Sequence, residues 1–178
     1  MKYYIADTHF YHKNMIKYEN RPFVSVEDMN NTMIMNWNSR VRKGDEIYIL
    51  GDFAFCSGVE ANKLLNKLNG QKYFIQGNHD SFMKDKEFDR SKFKSTRELM
   101  KISDNGTKII LCHYPMAVWD CQHHGAVHLY GHTHKGGFER HPILKQLENA
   151  YNVGVDVTGF YPVTLEEIKS EYNNWVNG

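Results

Sequence analysis

Short apolar runs recur along the chain, and each gives way at once to a polar cluster. Tyr3–Ala6 leads into Asp7-Thr8-His9, and Glu46–Leu50 into Gly51-Asp52. Tyr73–Gln76 leads into Gly77-Asn78-His79-Asp80, Lys108–Cys112 into His113, and Val127–Tyr130 into Gly131-His132-Thr133-His134. Runs of this length, rich in Ile, Val and Tyr and bounded by turn formers, predict buried strands. A sixth run, Ala150–Val155, precedes Asp156. Helical spacing lies between the strands. Met29, Met33, Ile34, Trp37 and Val41 share one face of a predicted helix over Val26–Val41, with Ser25 as its N-cap. Ala61, Leu64, Leu65 and Leu68 do the same over Val59–Leu68, with Gly70 just past its end. Near the C-terminus, Thr164 and Glu167 have capping-box spacing, and Leu165, Ile168, Tyr172 and Trp175 line one face.

Strand–helix alternation followed by sheet-like segments predicts an α/β fold, a sandwich of two sheets in one domain over residues 1–178. Residues 81–107 are polar and weakly periodic and read as a surface excursion. In α/β sheets, ligand sites collect beyond the carboxyl ends of strands, so the polar clusters are expected to converge on one rim.

Composition narrows the function by exclusion. The 178 residues are 41% hydrophobic and 24% charged, which rules out a disordered chain or a fibrous repeat. With 22 basic and 21 acidic residues the net charge is +1, so no global basic field favours nucleic acid or an anionic membrane. No apolar run approaches the roughly 20 residues of a bilayer span. Three cysteines without paired spacing argue against a disulfide framework. The first charges arrive too early for a secretory signal, and a cytoplasmic location is expected.

The chemistry lies in the clusters taken together: Asp7, His9, Asp52, Asn78, His113, His132 and His134. These oxygen and imidazole donors suit Mn, Fe, Zn or Ni rather than a thiolate-rich structural zinc. Seven donors exceed one tetrahedral ion and match two divalent ions sharing a carboxylate. Such a pair clamps a phosphoryl group and generates hydroxide at neutral pH. His79, beside Asn78, is placed to act as general acid or cationic stabiliser, with Asp80 or Asp52 orienting its ring.

The order of these motifs resembles the calcineurin-like metallophosphoesterase superfamily: DxH at Asp7–His9, GD at Gly51–Asp52, GNHD at Gly77–Asp80, a strand-end His113, and GHTH at Gly131–His134. The resemblance implies a four-layer α/β sandwich with a dinuclear site. It implies one metal on Asp7, His9, Asp52 and His134, and another on Asp52, Asn78, His113 and His132, with Asp52 bridging. His79 would be the catalytic histidine and Asp80 its partner. The implied function is hydrolysis of a phosphomonoester or phosphodiester, nucleotides included, by a metal-bridging hydroxide. The chain looks closest to small members of that superfamily, so residues around the metals are expected to select a small phosphoester substrate. Arg21 and His12, shortly after the first motif, are the expected substrate contacts, Arg21 because a guanidinium matches phosphate bidentately. Lys13 reads as a solvated loop residue.

Other polar and aromatic residues carry plainer expectations. Cys112 turns away from the metals into the core, His128 is buried or stacked, and His141 is a loop residue. Cys121, His123 and His124 are too few donors for a structural zinc. Tyr114, Pro115 and Trp119 read as core, with a pocket lining as the alternative. Two other functions compete: a silent interaction scaffold, which all ligand positions and His79 argue against, and a nuclease. The basic residues Lys84, Lys86, Arg90, Lys92, Lys94 and Arg97 favour a nuclease only until Asp85, Glu87, Asp89 and Glu98 dilute them.

Overall fold

In the computed structural model, which describes residues 1–177, every predicted strand forms. Strands β1 (Lys2–Ile5), β2 (Glu46–Leu50), β3 (Gln71–Ile75) and β4 (Ser95–Arg97) make one parallel sheet in that order. A second sheet holds β5 (Leu99–Asp104), β6 (Thr107–Cys112), β7 (Val127–Tyr130) and β8 (Ala150–Asn152), again in chain order. Within this sheet β5 and β6 pair antiparallel, and β6–β7 and β7–β8 pair parallel. The β5–β6 turn is Asn105-Gly106, at φ 47° and 79°, the doubly left-handed geometry that Asn-Gly hairpins favour. β1 ties the sheets together at its end: the Ala6 N–H donates to the Val153 carbonyl at 2.9 Å, and the Val155 N–H to the Ala6 carbonyl at 3.0 Å.

Alternation along β1 and β2 divides the core. Tyr4, Ala6, Tyr48 and Leu50 face the second sheet, packing with Ile109, Leu111, Val127 and Leu129. Tyr3, Ile5, Ile47 and Ile49 face the helices. Two-sided burial explains why these strands read as continuous apolar runs. Helix α1 is a single turn (Met15–Tyr18). Helix α2 (Val26–Arg40) presents Met29, Met33 and Trp37, and the Ser25 hydroxyl accepts the Asp28 N–H at 3.1 Å. Helix α3 (Gly58–Lys67) presents Ala61, Leu64 and Leu65, and opens on a capping box of Ser57 and Glu60. After the turns α4 (Gly137–Arg140) and α5 (Val155–Thr158), helix α6 (Leu165–Asn177) starts at the predicted Thr164–Glu167 box. Its Leu165 and Ile168 seal the inter-sheet core.

On the outer face of the second sheet, Trp119 and Ala126 pack on Ile110, Tyr130 and Ala150. Two expectations change. The sixth strand stops at Asn152, and Val155–Thr158 turns helical. Residues 81–107 are no surface excursion, because they carry the chain between sheets and supply β4 and β5. Phe82, Met83, Phe88 and Phe93 of this segment are buried, with Phe93 stacked on Phe74 at 4.5 Å. Short strands and irregularly spaced aromatics left no period to read.

Candidate metal centre

Because β1, β2, β3, β6 and β7 run in one direction, their carboxyl ends deliver the polar clusters to a single rim. The chain turns sharply there. Asp7, His9, Asp52, His132 and His134 all sit at positive φ, between 49° and 68°. Left-handed backbone is uncommon outside glycine and costs on the order of 1–3 kcal/mol where surrounding structure enforces it. The enforcing bonds are visible. The Asp80 carboxylate accepts N–H bonds from Asp52 (3.0 Å), Phe53 (2.8 Å) and Gly77 (2.7 Å). The Asp7 carboxylate accepts the His132 N–H at 2.9 Å. Glycines permit the approach: a Cβ on Gly77 would lie 2.4 Å from Asp52 Oδ1, and one on Gly131 2.8 Å from Asp7 Oδ2.

The donors fall into two groups, Asp7–His9–His134 and Asp52–His113–His132, each with ligand atoms within 4.8 Å of one another. Asp52 Oδ2 stands between them, 3.7 Å from His9 Nε2 and 3.6 Å from His113 Nε2. Its Oδ1 accepts the His79 N–H at 2.8 Å, which fixes the carboxylate's orientation.

Hydrogen bonding leaves lone pairs aimed inward. His113 Nδ1 bonds the Leu50 carbonyl at 2.8 Å, so that nitrogen is the donor and Nε2 carries a lone pair. That lone pair faces Asn78 Oδ1 at 3.0 Å, and His132 Nδ1 meets the same oxygen at 3.0 Å. His134 Nδ1 donates to Asp156 at 2.9 Å, leaving its Nε2 for the centre. His9 Nε2 is buried without a hydrogen-bond partner. Converging acceptors and an orphaned buried nitrogen are what a divalent cation satisfies. Protonation fits as well. Burial, followed by the nearby His134 and Arg21, drives the His9 pKa down to about 2, which keeps the ring neutral. Burial pushes the Asp7 carboxyl up to about 7, against the opposing pull of His134 and the His132 N–H.

The structure brings all seven predicted donors to the rim but relocates their neighbours. His79 is exposed there, its ring 5.8 Å from that of His9. His12 flanks the same side, stacked on Phe55 at 4.7 Å and 5.6 Å from the His9 ring. Asp80, expected to partner the His79 ring, is corrected to a backbone clamp, since its buried oxygens are spent on three N–H groups. Arg21, expected at a substrate phosphate, is corrected to a buried strut. Its Nε and Nη2 grip Asp156 at 2.7 and 2.9 Å, and its Nη groups also reach the carbonyls of Asp7 (2.8 Å) and Thr8 (2.9 Å). Asp156 is the residue sequence reasoning left without a role. Burial raises its carboxyl, but the bonds from His134 and Arg21 outweigh that and hold it below the ordinary value. Its position after the Ala150–Val155 run matched that of the other ligands and was the available signal.

Tyr114 is likewise corrected from core to rim: its hydroxyl lies 3.4 Å from Asn78 Oδ1. Trp119 is core, as expected. His128 is a satisfied core histidine, donating from Nδ1 to the Ile110 carbonyl and accepting the Met116 N–H at Nε2. Among the described residues, Cys121, His123 and His124 form no metal-competent group.

A family model described as the calcineurin-like phosphoesterase superfamily domain matches residues 2–154. The uncharacterized protein MJ1445 of Methanocaldococcus jannaschii is 39% identical over 168 residues, spanning 93% of this chain and 88% of that protein. The gene 66 protein of Mycobacterium phage L5 is 26% identical over 188 residues, spanning 88% of this chain and 87% of its own. Among solved structures, the protein of unknown function AQ665 from Aquifex aeolicus superposes with a TM-score of 0.73 at 25% identity, covering 95% of this chain and 97% of that one.

Proposed function

The chain belongs to the calcineurin-like phosphoesterase superfamily, and on that premise we propose that it is a phosphoesterase working on a small phosphomonoester or phosphodiester with two divalent cations. The observation that carries this reading is the set of inward lone pairs arranged around Asp52 Oδ2. Asp7, His9, Asp52 and His134 would hold one cation, and Asp52, Asn78, His113 and His132 the other. Cations held there supply Lewis acidity toward phosphoryl oxygens and lower the pKa of water.

The chain's own residues supply the rest. His79 is exposed at the rim and anchored through its backbone to Asp52, with its ring 5.8 Å from that of His9. It donates a proton to the departing oxygen, a role that contributes about 10²–10⁴-fold. Asp156 sets the tautomer of His134, and Arg21 holds Asp156 in place. His12 and Tyr114 border the opening from opposite sides.

The test uses chelator-stripped protein reloaded with Mn, Fe, Zn or Ni and assayed on p-nitrophenyl phosphate and bis-p-nitrophenyl phosphate. Metal-dependent hydrolysis of one or both is expected, lost in Asp52→Asn together with bound metal. Protein that retains two metals per chain yet cleaves neither ester would overturn the reading.

A further inference from the structure

Beside the His132 edge of the centre lies a pocket of about 380 Å³ that the metal chemistry leaves unassigned. We infer that it is the subsite for an uncharged ring carried by the substrate, an inference that rests on the phosphoesterase reading. Its walls include Tyr114, Met116, Ile143, Leu144, Leu147 and His132, and among the described residues no Asp, Glu, Lys or Arg lines it. Small-molecule sites are mostly apolar concavities of this order of volume, with a few polar groups at one end. Here the polar end is the metal centre. His132 belongs to both, and Tyr114 packs against the His132 ring at 4.7 Å while its hydroxyl points to Asn78. A phosphate at the centre would thus have its ester arm beside apolar walls.

Two features select a flat, neutral arm. Tyr114 and His141 offer aromatic surface, which rings match by offset or edge contacts. Charged groups would be desolvated without a partner. Ile143 and Tyr114, which line this pocket, are 56% and 45% exposed, so the pocket opens to solvent past large side chains. The cavity on the other side of Tyr114 is a poorer host, because Glu98 lines it and would repel an anionic ester.

Calorimetric titration of the Mn-loaded protein with phenylphosphonate and methylphosphonate tests this without turnover. Both probes offer the same anionic head, and only one carries a ring. Phenylphosphonate is expected to bind about tenfold tighter or more, the scale of burying several apolar carbons. Ile143→Asn and Ala117→Trp alter the lining at two exposed positions. Each should bring the phenyl-to-methyl ratio down to roughly 1–2. Equal affinities in the wild-type protein, or a ratio unchanged in both variants, would overturn the subsite while leaving the metal-centre reading intact. If neither phosphonate binds, the phosphoesterase reading itself fails and the subsite falls with it.

Discussion

Replacing Arg21 separates a structural role from a substrate-binding one. Its side chain is 0% exposed and that of Asp156 is 4% exposed, so the pair is sealed from water. Arg21→Ala would leave the buried Asp156 carboxylate with His134 but without its guanidinium, a change that costs about 3–5 kcal/mol. The carbonyls of Asp7 and Thr8 would also lose their donors. For a chain of this size each kcal/mol moves the melting temperature by about 2–4 °C, so the expected loss is roughly 6–20 °C. Arg21→Lys keeps the charge, but one ammonium cannot match the two-point grip on Asp156 and both carbonyls, so an intermediate loss is expected. Metal affinity should fall as well, because His134 takes its orientation from Asp156. The assay is thermal melting of chelator-stripped protein beside metal content by elemental analysis. A variant Arg21→Ala that melts within about 2 °C of wild type, keeps its metals and shows only a raised KM would refute this account. That result would put the guanidinium on the substrate after all.

Three further outcomes follow from the same geometry. His79→Ala should retain both metals and lose about 10²–10⁴-fold in kcat on an unactivated ester. The loss should be smaller on p-nitrophenyl phosphate, and loss of metal instead would make His79 a ligand. Asp156→Asn should weaken metal binding about 10–100-fold in a chelator competition, since it removes the carboxylate charge and leaves one acceptor oxygen where two serve His134 Nδ1 and Arg21. Lys72, buried in β3 with Nζ donating to the Gly70 carbonyl at 3.1 Å, has its pKa lowered to about 8 by burial and then by Lys92. The folded state therefore gives up this proton before the unfolded state does, and the penalty for charge burial fades as pH rises from about 8 toward 10.5. Lys72→Met should accordingly raise the melting temperature at pH 7, by a margin that shrinks over that range; a constant margin would exclude the titration as its cause.

How much was legible in the sequence depends on whether a signal is local. The five rim strands and the seven donors were readable because each donor directly follows a strand, and parallel strands deliver their ends to one place. The hairpin of β5 and β6 had a local signal too, Asn105-Gly106, flanked by Lys101, Ser103 and Lys108, whose polarity hid the alternation. The pairing of Arg21 with Asp156 had none, since they meet across 135 residues.

Asp80 and Arg21 show a different limit. Both stand near a metal motif; the sequence reads Arg21 as a substrate contact and Asp80 as the partner of the His79 ring. A left-handed turn at a ligand leaves backbone N–H and carbonyl groups that need partners behind the centre as much as the metals need donors in front. Asp80 answers three such N–H groups, and Arg21 answers two such carbonyls. A charged residue beside these motifs therefore has two possible destinations, and spacing does not distinguish them. His79 and Asp80 are adjacent in the chain, yet His79 is exposed while Asp80 is 2% exposed with both oxygens taken. Burial and the direction of hydrogen bonds, which only the folded chain reveals, assign one to the chemistry and the other to the backbone that holds Asp52 in its left-handed turn.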